Sequence, residues 1–333
     1  MGLKKIKIVT VIIIACLLFQ TYIVTAGSFD QTTSNKYVDT FQGSFSVPRR
    51  GRYTVSIYYP SYTSVKPYPV IVFAHGFCSC GEWHSWIGNC LARNGFIALL
   101  FTVPNRTSTD VLQWVDGIEG GIRYLQQMNN ESNQFSGMMN MSRLGVMGHS
   151  MGAMASIIVA SKDSRIKAVV SLAAPYMKNK NFDDESAKEL KSEIDWDSVL
   201  SASYKITIPA QFQVGTLDAF AADNAEIYFT AVNSSSKEFI AIEGGNHVQF
   251  IDDDSILTRS AYYGLLSLFQ SMNQATILSL YKYVALNIVL LVSKKTLIEA
   301  AVAIGIDQPA TITPQELQKI SSQNFLSFLN RYL

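Results

Sequence analysis

The pentapeptide Gly148-His149-Ser150-Met151-Gly152 constrains this chain more than any other stretch. It is a G-x-S-x-G turn set between two unlike segments. Residues 143–147 read as a short buried strand, and residues 153–160, small and apolar, read as a helix. A serine at so tight a strand-to-helix turn sits on strained backbone with its hydroxyl at a helix N-terminus. The flanking positions are glycine because any side chain there meets neighbouring backbone.

The surroundings repeat the pattern of strand and helix. Residues 41–48 and 53–59 alternate apolar and polar around a Pro-Arg-Arg-Gly turn, which predicts an antiparallel hairpin. Continuous apolar runs at 69–74 and 96–101 predict buried strands, with a helix over 82–93 between them. Residues 110–128 read as an amphipathic helix with Ser108 or Thr109 available as its cap. Three more strands follow the serine, at 166–172, 208–214 and 238–242. Strands alternating with helices predict an α/β fold, a mostly parallel central sheet with helices on both faces. The chain has no internal repeat.

A chain of 333 residues, 48% hydrophobic, holds one large core. Its net charge of +1 is spread without a basic stripe, which argues against nucleic acid as a partner. At the N-terminus Lys4, Lys5 and Lys7 precede an apolar run over 8–19, and small residues follow at Val24-Thr25-Ala26-Gly27. This order is that of a secretory signal peptide, residues 1–26, with cleavage after Ala26. An uncleaved signal anchor is the alternative, since apolar character resumes at 22–24. Residues 27–40 then form a polar linker, and 41–333 the folded domain.

Secretion makes a disulfide chemically feasible among Cys78, Cys80 and Cys90. Cys90 closes a short loop with either of the other two, and one thiol is left over. His84 lies between them, but the spacing matches no common zinc pattern, so no metal is assigned. Asn-x-Ser/Thr triplets at Asn105, Asn130, Asn140 and Asn233 are compatible with export.

Two stretches exceed a minimal fold. Residues 176–205 are charged and predict a short helix around 184–195. Residues 255–306 are long, apolar and helical in pattern, a helical insertion near the C-terminus. Within it, 275–292 carries Lys282 as its sole charge and is near the lower length limit of a membrane span. Ser279, Lys282 and Asn287 are costly in lipid, which favours packing on the body or a cap over the site. Membrane association through 8–24 or 275–292 stays open.

A nucleophilic serine needs a base, and the chain has four histidines. Chains with this elbow run serine, acid, histidine in order. His75 and His84 precede Ser150, and His149 lies within the elbow and points away from the serine. His247, in Glu243-Gly244-Gly245-Asn246-His247 just past a predicted strand, is the one downstream. The acid belongs on the loop before it. Asp218, in Val214-Gly215-Thr216-Leu217-Asp218, stands a few residues past a strand end, and Asp223 is its rival. The oxyanion needs two backbone N–H donors. One is the residue after the nucleophile, Met151; the other is Phe77, in the strand-end segment Ala74-His75-Gly76-Phe77. His75 then braces that loop.

On these residues the chain resembles α/β-hydrolases of the dienelactone hydrolase-like type, which include bacterial polyester hydrolases (cutinases) and chlorophyllase-like esterases. The resemblance covers residues 40–250 and resumes at 309–333, where the segments at 310–317 and 325–329 look like the closing helix of that family. It implies a Ser150–Asp218–His247 triad in an α/β-hydrolase fold, with no cofactor or metal. Tyr176 sits where such enzymes place a substrate-lining aromatic. Dienelactone hydrolases proper carry a cysteine nucleophile, cutinases continue the elbow with further glycines, and compact cutinases lack the insertion at 255–306. The expectation is a secreted serine esterase working through an acyl-enzyme on Ser150. Its substrate is an ester: a small molecule, a lipid or a polyester. The alternatives are a lipase or acylglycerol hydrolase with residues 255–306 as a lid, and a non-catalytic relative used for binding.

Overall fold

The alternation at the start of the domain becomes a hairpin of β1 (Val38–Val47) and β2 (Gly51–Pro60), paired antiparallel in full register from Val38 opposite Pro60 to Val47 opposite Gly51. β2 then runs antiparallel to β4 (Ile97–Thr102). From there the sheet is parallel: β4 beside β3 (Tyr68–Ala74), then β5 (Met139–His149), β6 (Ile166–Leu172), β7 (Ala210–Gly215) and β8 (Lys237–Ile242). The order is β1-β2-β4-β3-β5-β6-β7-β8, a doubly wound, mostly parallel sheet. The computed structural model describes residues 37–61, 66–77, 79–176, 194–218, 220–222, 226–251 and 310–333. All belong to one compact unit, Tyr37–Leu333.

Helices cover both faces. α1 (Ser85–Arg93) and the C-terminal α6 (Pro314–Tyr332) enclose one apolar cluster with Phe73, Leu100 and Val170. α2 (Leu112–Asn130), α3 (Met151–Ala160), α4 (Trp196–Ser203) and α5 (Glu226–Ala231) enclose the larger cluster on the opposite face. β3 is buried at all seven positions, as a strand covered on both faces must be.

The segment 82–93, expected as one helix, is a 3-10 turn (Gly81–His84) followed by α1. A Cβ on Gly81 would stand 2.9 Å from the Phe101 carbonyl oxygen, so the turn is pressed onto β4 before the α-helix begins. The expected cap of α2 is corrected too. Neither Ser108 nor Thr109 caps it; Asp110 Oδ1 accepts from the Leu112 N–H instead, at 3.0 Å. In the expected helix at 184–195, residues 184–193 lie outside the described residues. Asp195 is non-helical and caps α4, its carboxylate accepting from the Ser198 N–H at 3.0 Å. The leader and most of the linker, Cys78, Asp223 and the insertion at 255–306 also lie outside them. Among the described residues no helix is long and apolar enough to cross a membrane.

Candidate active site

The elbow is built by close approach of backbones. Ser150 has φ +55° and ψ −118°, a conformation L-residues rarely adopt. A Cβ on Gly148 would collide with the Gly152 carbonyl, and one on Gly152 with the Ala74 carbonyl. The Ser150 N–H is tied to the Leu172 carbonyl at the end of β6, 2.9 Å away. The serine therefore tops the sheet at the N-terminus of α3, and the end of β3 presses against it.

The loops after β7 and β8 are stitched together. The Thr216 N–H donates to the Ile242 carbonyl at 3.0 Å and the Leu217 N–H to the Gly245 carbonyl at 2.8 Å. The Gly244 N–H donates to Thr216 Oγ1 at 3.0 Å. Gly215 has no Cβ to collide with the Gly245 backbone, so the two loops touch. This closeness brings Asp218 and His247 together.

His247 Nδ1 lies 2.9 Å from Asp218 Oδ2, and His247 Nε2 lies 2.9 Å from Ser150 Oγ. A carboxylate only accepts, so Nδ1 carries the proton and Nε2 accepts from the serine hydroxyl. Asp218 Oδ1 accepts from the Phe220 and Ala221 N–H groups at 2.9 and 2.8 Å. Asp218 is 1% exposed, and each of these contacts is a hydrogen bond its carboxylate accepts.

Phe77 and Met151 flank the serine from two directions. Met151 is the first residue of α3, where the N–H groups have no partner within the helix. A Cβ on Gly76 would stand 3.0 Å from Ser150 Cβ, which puts the chain entering Phe77 directly against the serine. The Phe77 side chain is half-buried against the larger core cluster. His75 holds this loop: Nδ1–H donates to the Gly76 carbonyl at 2.6 Å, and Nε2 accepts from the Val103 N–H at 3.1 Å. Burial drives His75 down to about 3, so the ring is neutral. Tyr176 is 4% exposed, edge-on to Trp196 and Tyr228 at 6.2 and 5.7 Å between ring centroids.

Cys80 and Cys90 are free thiols. Burial pushes them up to about 12 and about 11, which keeps both protonated and unreactive near neutral pH. Among the described residues no group of three His, Cys, Asp or Glu is placed to hold a metal ion.

Three supporting residues escaped sequence reasoning. Gln249 accepts from the Asn246 N–H at 3.0 Å and donates to the Ile312 carbonyl at 2.6 Å. Gln318 of α6 donates to the carbonyls of Gln249 and Ile251 at 3.2 and 3.1 Å. Phe220 packs its ring 4.9 Å from that of His247. The Asn246-x-x-Gln249 spacing is a capping-box pattern and was readable; the other two depend on long-range packing.

Comparison with known proteins follows the same line. Residues 25–265 match the family described as PET hydrolase-like. The bis(hydroxyethyl) terephthalate hydrolase of Streptomyces coelicolor is 28% identical over 220 residues, 65% of this chain and 67% of that protein. Cutinase 1 of Thermobifida cellulosilytica is 26% identical over 196 residues, 58% of this chain and 64% of that one. The cutinase of Thermobifida fusca is 26% identical over the same span, 56% of its own length. The chain thus spans between about half and two thirds of the length of these relatives.

Proposed function

The chain belongs to the PET hydrolase-like family, and from that membership and the geometry of its site we propose that it is a secreted serine hydrolase of carboxylic esters. The observation that carries this reading is the unbroken line from Ser150 Oγ through His247 to Asp218, 2.9 Å at each step.

Ser150 Oγ attacks the ester carbonyl as its proton passes to His247 Nε2. The oxyanion is held by the N–H groups of Met151 and Phe77, helped by the positive end of α3. Asp218 stabilises the imidazolium, which gives its proton to the departing alcohol. Water then takes the place of the alcohol, loses a proton to His247 and releases the acid from Ser150. No metal or cofactor enters these steps. A rate that falls with acidity, as His247 takes up a proton, is expected. Tyr176 is assigned as a substrate-lining aromatic on its position after β6.

One relative is named for hydrolysis of a terephthalate ester and others are named cutinases, which supports esters as the substrate class and includes polyesters among them. Residues 1–26 are assigned as a leader, 27–40 as a linker and 41–333 as the hydrolase domain. This places the enzyme outside the cell, or tethered there if the leader stays.

The test is hydrolysis of p-nitrophenyl esters from acetyl to palmitoyl by the chain lacking its leader and by its Ser150→Ala variant. Turnover that disappears in the variant is expected. Equal turnover in both, or none together with no labelling by a fluorophosphonate probe, overturns the assignment. The chain-length profile separates a short-acyl esterase from a lipase.

A further inference from the structure

All four histidines of the chain, His75, His84, His149 and His247, are buried, between 0 and 7% exposed. His247 joins Ser150 to Asp218, and His75 braces the loop before Phe77. His149 and His84 belong to neither task.

His149 Nε2 lies 3.0 Å from the main-chain oxygen of His247. A carbonyl oxygen only accepts, so Nε2 carries a proton. The His149 and His247 rings are 4.9 Å apart at 43°, and Phe250 backs the His149 ring at 5.5 Å. His149 Nδ1 faces His84 Nε2 at 3.4 Å, and His84 Nδ1–H donates to the Cys80 carbonyl at 3.1 Å. The two imidazoles thus join the elbow, the turn after β3 and the 3-10 turn that carries His247 (His247–Phe250).

Burial first, then the charges of His247, His84 and His75, keeps His149 well below the usual histidine range. His149 is therefore neutral near pH 7, with its single proton on Nε2 toward the His247 carbonyl and Nδ1 left to accept on the side of His84. The ionisable groups facing His149 are His84, His75 and His247, with Asp218 beyond His247.

We propose that His149 is a positioning residue for the base: it anchors the main chain of His247 through one N–H···O=C bond and backs its ring. This rests on the reading of His247 as the base of an ester hydrolase. Held at its own carbonyl and along its ring, His247 keeps Nδ1 on Asp218 and Nε2 on Ser150. Without the anchor, a smaller fraction of molecules is aligned for proton transfer. Substrate binding is untouched, so kcat falls and KM does not.

Two variants separate the donor from the ring. His149→Phe keeps an aromatic ring and loses the donor; His149→Gln keeps an N–H donor of similar reach. Each is measured for turnover of p-nitrophenyl butyrate, for thermal unfolding, and for the far-downfield NMR resonance of the His247 Nδ1–H, identified by its loss in Asp218→Ala. His149→Phe is expected to lower kcat about tenfold, the loss of one hydrogen bond, with KM within about twofold. Its downfield resonance is broadened or lost, and His149→Gln retains the resonance and most of kcat. Wild-type kcat and resonance in His149→Phe overturn the proposal, and so does an equal loss in both variants. Should His149→Phe not fold, His149→Leu takes its place, with the same loss of kcat and resonance expected, and wild-type kcat and resonance in it overturning the proposal. If the wild type hydrolyses no ester while the resonance responds to His149→Phe and not to His149→Gln, the hydrolase reading fails and the positioning of His247 stands.

Discussion

Ser150 is held at φ +55°, a conformation that costs roughly 1–3 kcal/mol for a residue other than glycine. The fold sustains it because the Ser150 N–H, the two glycines and the start of α3 leave no other path. His247 and Asp218 are held as tightly, each hydrogen-bonded on both sides. Removing the acid leaves the imidazole free to take the wrong tautomer. Asp218→Ala is therefore expected to lower kcat/KM by about two to four orders of magnitude, and Asp223→Ala to leave it within about twofold. Steady-state kinetics on both variants decide the assignment; the reverse pattern transfers the role to Asp223. The serine and its glycines were legible because they are contiguous. Chain order also singled out His247. The anchoring role of His149 was not legible, since a ring at 3.0 Å from a carbonyl 98 residues away leaves no local trace.

The elements that carry these residues follow from patterning where burial is uniform and depart from it where packing intervenes. β3 and β6 match their apolar runs to within one residue. α5 was missed: Glu226–Ala231 is six residues rich in β-branched and aromatic side chains, which favour strand. It is helical because Tyr228 donates to the Pro175 carbonyl at 3.0 Å and Lys237 Nζ binds carbonyls at its C-terminal end. α2 lies close to the sheet through its glycines. A Cβ on Gly117 would run into the Phe101 ring and stand 2.9 Å from the Tyr53 ring. Gly117→Ala is expected to destabilise by about 1–3 kcal/mol despite a helix-propensity gain of about 1. Urea denaturation reads this, and a more stable variant would mean that the helix stands off the sheet. At the other end of the chain, α6 starts with a capping box, Thr313 with Glu316. Thr313→Ala is expected to cost about 1 kcal/mol in the same assay, and no change would mean that the cap carries no weight.

For the molecule as a whole, buried neutral histidines link stability to pH. His75 titrates at about 3 when folded and near 6.5 when unfolded, so the unfolded chain binds the extra proton. The stability it contributes is complete above about pH 6.5 and is lost as pH falls toward 3, on the order of 4–5 kcal/mol in total. His149, also depressed by burial, adds with the same sign. The urea midpoint should therefore fall steadily from pH 7 to pH 4, and a constant midpoint would show that neither ring is held neutral. The sequence by itself determined the kind of fold, the elbow and the order of the chemical groups, because strand and helix patterns and a five-residue turn are local. Only the tertiary structure decided what meets: Ser150 with His247 across 97 residues, His84 with His149 across 65, and Gln318 with the turn that carries His247. Those contacts arise where strand ends converge at one edge of a twisted parallel sheet. Convergence of that kind depends on how every strand is stacked, which no single segment of the chain encodes.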